Sequence, residues 1–182
     1  QLTVGEQSGK IVETVKNKVG SELGTEHART METIEKLDQQ STKQKRRVSS
    51  LRAVAKKNRE NRDRFTKEIV NLDKAEQTDG TKQRRLSLTQ KLLESENKLA
   101  ESLQALDGIA NDINATKNYQ SDLDTININQ NILTGQDLLE LDENINKFKS
   151  VVEQQEQLDP QRASYLKDLM QEHAEAYSMF MQ

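Results

Sequence analysis

Apolar residues along this 182-residue chain recur at steps of three and four, the spacing that lines one face of an α-helix. Met31, Ile34 and Leu37 open the pattern. From Val48 a seam runs through Leu51, Ala55, Asn58, Arg62, Phe65, Ile69 and Leu72, with polar Asn58 and Arg62 where knobs are normally apolar. Leu92, Leu99, Leu106 and Ile113 follow at strict sevens, joined by Leu103 and Ala110 at the alternate position. Leu138, Leu141, Ile145, Phe148 and Val152 make a compact later seam. In the last stretch, 160 to 182, Leu166, Leu169, Met170, His173, Tyr177 and Phe180 share one face. The pattern predicts an all-α fold, an elongated antiparallel coiled-coil or helical-hairpin bundle.

Local signals divide the pattern. Asp79-Gly80 carries turn chemistry, so the seams before and after it are expected to fold as a hairpin turning near residues 77 to 81. Six asparagines and several β-branched residues between Asn111 and Gly135 lower helix propensity and predict a joint over 111–135. Thr134 reads as an N-cap with Asp137 in the first turn, and Asp159-Pro160 as a second helix start. Residues 1–24 hold four of the seven glycines around Ile11, Val12, Val15 and Val19, which predicts a weakly ordered amphipathic lead. The expected organisation is one elongated helical domain over 1–182: this lead, a basic hairpin over 43–107, the joint, and acidic helices over 135–182.

Composition makes the object thin. Apolar residues are 32% of the chain, against about 45–50% in globular domains. No run reaches the roughly 20 apolar residues of a membrane span. The chain begins at Gln1 rather than Met, as a processed or trimmed chain would, and its compartment is not fixed by sequence.

Charge changes the picture most. Residues 43–91 hold sixteen Lys and Arg against six Asp and Glu, whereas residues 92–182 hold six against seventeen. The net charge is only −3. A basic stripe on a helix wants an anionic surface, and the expected set is Lys45, Arg46, Arg47, Arg52, Lys56, Lys57, Arg59, Arg64, Lys67, Lys82, Arg84 and Arg85. The Met and aromatic face of the last stretch is the second candidate surface, with Leu166, Leu169, Met170, Tyr177 and Phe180 expected to meet a protein partner or a second copy.

Chemistry finds little purchase. There is no cysteine, so thiolate nucleophiles, disulfides and Cys-based metal sites are excluded. Gly5 to Ile11 lacks the glycine spacing and the Ser or Thr of a phosphate loop, and no strand is expected before it. His27 and His173 have no helical ligand pair. Asp122 and Asp124 lack the rest of a calcium loop. No enzyme activity, metal or cofactor is expected.

The basic hairpin, residues 45 to 107, resembles the distal arms of BAR-type membrane-curving domains. The likeness rests on pattern rather than a motif, and it departs from that family in its thin seam and in the interruption at 111–135. It implies a scaffold that lays basic residues on an anionic membrane. An alternative is that the basic and acidic halves neutralise each other within a structural assembly. In that vein, segment 103 to 133 is loosely similar to minor-pilus subunits of bacterial secretion and conjugation machines, which implies an extracytoplasmic structural subunit. Nucleic-acid binding is disfavoured, because only Phe65 is interleaved with the basic residues as a stacking group.

Overall fold

The computed structural model describes residues 25–121 and 132–181. The expected lead over 1–24 and the centre of the expected joint, 122–131, lie outside the described residues. Among the described residues there are seven helices and no strand: α1 Thr25–Asp38, α2 Thr42–Lys74, α3 Asp79–Ser121, α4 Gly135–Leu139, α5 Leu141–Leu158, α6 Pro160–Glu172 and α7 Ala174–Met181.

Caps set most of these boundaries. The Ser41 hydroxyl accepts from the Gln44 amide and starts α2. Thr134 and Asp137 form a reciprocal capping box at α4. Asp159 accepts from the Arg162 amide, with Pro160 in the first turn of α6.

Two boundaries differ from expectation. Asp79-Gly80 is not the turn but the first residues of α3, because Thr78 and Thr81 each accept from the other's backbone amide and cap the helix just before it. The link is residues 75–78. Near the C-terminus the single expected helix breaks at His173, whose N–H donates back to Met170 and Gln171 carbonyls. The break turns α7 onto α1, α2 and α5.

The long helices α2 and α3, 33 and 43 residues, pack on each other more extensively than any other pair. At 1.5 Å per residue they run about 50 and 65 Å. On α2 every position of the expected seam, Val48, Leu51, Ala55, Asn58, Arg62, Phe65, Ile69 and Leu72, is buried or half-buried, and Lys45 and Arg52 are buried beside it. On α3 the corresponding lane is Leu88, Leu92, Ser95, Leu99, Ser102 and Leu106. Buried serines therefore occupy the alternate position; the Ser102 hydroxyl is satisfied by the Lys98 carbonyl.

The core gathers at one end of this pair. Met31, Ile34 and Leu37 of α1, Leu138 and Leu139 of α4, Leu141, Ile145 and Phe148 of α5, and Leu166 and Leu169 of α6 are essentially fully buried. Burying each such side chain contributes about 1.5–3 kcal/mol. From Glu60 to Ser87, by contrast, no residue is buried. The core and the long helices' far ends are thus different environments.

Candidate functional site

Where the C-terminal helices meet α2, the two halves of the charge pattern meet. Arg52, buried on α2, brings Nη2 to 2.5 Å from Asp142 Oδ1 in the first turn of α5. The same Nη2 donates to the Leu139 carbonyl at 3.4 Å, and the Arg52 Nε carries no partner. One turn on, the Lys56 ammonium pairs with Asp142 Oδ2, and Arg59 Nη2 lies 2.8 Å from Glu143 Oε1. Lys45, also buried, has its Nζ 3.7 Å from Asp38 and 3.5 Å from Glu175. On the far side of the core, Arg29 of α1 holds Asp137 at 2.6 Å and also donates to the Ile132 carbonyl.

These partners set the charge states. Burial raises the Asp142 carboxyl's pKa, but the Lys56 hydrogen bond and the charges of Arg52 and Lys56 outweigh it and leave it below the usual carboxylate range. Asp137 behaves alike: burial opposes ionisation, and Arg29 with the Thr134 amide overcomes it. For Arg52 burial wins, lowering its pKa despite Asp142. A buried arginine stays charged nonetheless, so its partner must stay charged as well.

The expected anionic-surface residues therefore divide. Lys45, Arg52, Lys56 and Arg59 are turned toward carboxylates of this chain. Exposed Arg84 faces half-buried Glu68 at 3.6 Å, and Arg85 pairs with Asp73 at 2.7 Å, both exposed. Arg64 lies 5.1 Å over the Phe65 ring and donates to Asn61. Arg46, Arg47, Lys57, Lys67 and Lys82 are exposed and in no ion pair with a described residue.

On α2 the outward cations fall in two adjacent heptad lanes. Lys43, Lys57 and Arg64 share one; Arg46, Lys67 and Lys74 share the next, with Arg47 alongside. All are exposed, and Glu60 is the one carboxylate in those two lanes. The stripe is about 45 Å long at helical rise.

The expected partner face is placed inside the chain. Leu166, Leu169, Met170 and Phe180 are buried, and Tyr177 is half-buried against the same core. In a chain with so few apolar residues this face is needed by its own α1, α2 and α5. Phe180 also receives the Arg52 guanidinium, 4.0 Å above its ring. His173 is fully buried with neither ring nitrogen hydrogen-bonded, and Asp38 stands 3.9 Å away.

Sequence reasoning did not single out the carboxylates that close this joint, Asp142 above all. The signal was present as an acidic first turn, Asp142-Glu143, directly after a buried run of leucines. No group of three or more His, Asp or Glu among the described residues is placed to hold a metal ion. Among them, too, no helix is long and apolar enough to cross a membrane. No protein-family model matches the chain, and no curated protein or solved structure matches it.

Proposed function

We propose that this chain is a non-enzymatic helical scaffold that presents the outer face of α2 to an anionic membrane surface. In this reading α2 and α3 form an antiparallel coiled-coil hairpin. The ion pairs Arg85–Asp73 and Arg84–Glu68 support it, since they join the two long helices beside the short 75–78 link. The acidic C-terminal helices clamp the hairpin's base, and their carboxylates neutralise the cations that face them.

One observation carries the membrane part: the outward cations of α2 lack carboxylate partners among the described residues, while the inward ones have them. Each basic side chain held near an anionic leaflet contributes on the order of 1 kcal/mol, reduced by salt. Internal pairing favours the structural-assembly reading equally, because it explains the bipolarity at the base without an external ligand.

The test is co-sedimentation with anionic and neutral vesicles at low and moderate salt, with duplex DNA as competitor. Salt-sensitive binding to anionic vesicles alone supports the membrane scaffold. Absence of binding, or release by duplex, defeats it.

A further inference from the structure

A second heptad lane on α3 adjoins the one buried along that helix, and it is covered over only half its length. Its C-terminal half is Leu103, Asp107, Ala110 and Asn114. There Asp107 accepts from the Gly135 amide at 2.7 Å, Asn114 exchanges two hydrogen bonds with the Leu133 backbone, and Ala110 is fully buried. The segment entering α4 thus lies along it. Its N-terminal half continues in the same four-three register as Lys82, Leu86, Thr89, Leu93, Glu96 and Ala100, with no other described element upon it. Leu86 is 66% exposed and Leu93 54%. Lys82 and Glu96 are exposed and in no ion pair with a described residue.

We propose that this uncovered half-lane is a self-association site, where α3 of a second copy packs antiparallel on α3 of the first. The order of residues is self-complementary about a point between Thr89 and Gln90. Leu86 and Leu93 lie equally far on either side, so each leucine meets the other leucine of the second copy. Lys82 and Glu96 flank them at nearly equal distance, so a two-fold arrangement sets each cation against a carboxylate twice over. An isologous interface requires this kind of symmetry, and flanking charge pairs fix orientation in coiled coils. The lane's continuity with a face already used for packing within the chain points the same way. The proposal deepens the assembly part of the function above and is independent of the α2 stripe, which lies on the other long helix.

The experiment is sedimentation equilibrium of the whole chain over a concentration series. The expected result is a weak reversible dimer; a mass that stays monomeric to about 1 mM, where an association of only −4 kcal/mol would be half complete, overturns the proposal. Leu86→Glu with Leu93→Glu is expected to leave a monomer of unchanged helix content, and a persisting dimer overturns it. Lys82→Glu should weaken the dimer about tenfold by placing like charges together, and adding Glu96→Lys should restore it; failure of that rescue counts against the antiparallel register. Because the chain has no cysteine, Gln90→Cys should give an interchain disulfide under mild oxidation, whereas Ala53→Cys on α2 should not. Vesicle binding that survives in the monomeric variant separates this proposal from the membrane reading.

Discussion

Arg52 holds its guanidinium between Asp142 and the ring of Phe180, 2.5 Å from the carboxylate oxygen and 4.0 Å above the ring centre. One side chain of α2 thereby engages both α5 and α7. Removing the carboxylate strands a buried cation, the costly way to break such a pair. Asp142→Asn is expected to lower unfolding free energy by about 3 kcal/mol, measured by urea titration. Arg52→Met should cost clearly less, because it removes the charge together with its need for a partner. Equal losses for the two variants would mean that packing, not charge, governs the joint.

Gly135 is required by contact, not by backbone conformation. A Cβ there would come within 2.5 Å of Asp107 Oδ1 and 2.6 Å of the Asp107 backbone nitrogen. The side chain could rotate away, but the α3 backbone cannot. Gly135→Ala is expected to destabilise by about 1–3 kcal/mol through overpacking, read by thermal unfolding. Gly108→Ala, where an added Cβ meets nothing within 4 Å, should instead be neutral or mildly stabilising.

Acid stability should follow the histidines first. Burial holds His173 and His27 below the ordinary value of 6.5, with Asp38 and Glu172 opposing it at His173 and Glu26 at His27. Between the folded and unfolded values the unfolded chain binds more protons, so stability falls as pH drops through about 6.5 and levels once the folded forms protonate. The lowered carboxyls of Asp137 and Asp142 contribute stability that is lost only as pH falls below 3.8. His173→Met is expected to raise the melting temperature at neutral pH, since it deletes an unsatisfied buried polar group, and to shallow the slope between pH 5 and 7. An unchanged slope would assign the titration elsewhere.

Charge reversal should sort the cations of α2. Arg46→Glu, Arg47→Glu, Lys57→Glu and Lys67→Glu together should abolish anionic-vesicle binding while circular dichroism and melting stay near wild type. Arg52→Glu alone should collapse the fold, because it places a carboxylate against Asp142. If the outer set unfolds the chain, those residues have partners of their own.

The helical seams were readable because they follow from the 3.6-residue period. Every α2 seam position from Val48 to Leu72 is buried or half-buried as expected, and so are Leu138, Leu141, Ile145, Phe148 and Val152. Caps at Thr134 and Asp159 were readable for an equally local reason. On α3 two lanes compete, and hydrophobicity favours Leu103 and Ala110 over Ser95 and Ser102. Leu92, Leu99, Leu106 and Ile113 are buried or half-buried as expected; small buried serines give no apolar signal, so only the alternate position was read one step away. The break at His173 has no turn residue to announce it and follows from packing of α7. Charge counts made the bipolarity visible, but a count cannot say that Lys45, Arg52, Lys56 and Arg59 face inward while Arg46, Arg47 and Lys57 face out; that depends on which helix lies on α2.

The stretch from Glu60 to Ser87, without one buried residue, implies a gradient of local opening along the two long helices. Amides near the 75–78 link are held by helical hydrogen bonds and a narrow seam alone, so they should exchange with solvent through small openings, while those beside Val48 and Leu106 wait for global unfolding. The far ends can then fray and re-form without disturbing the joint at Arg52.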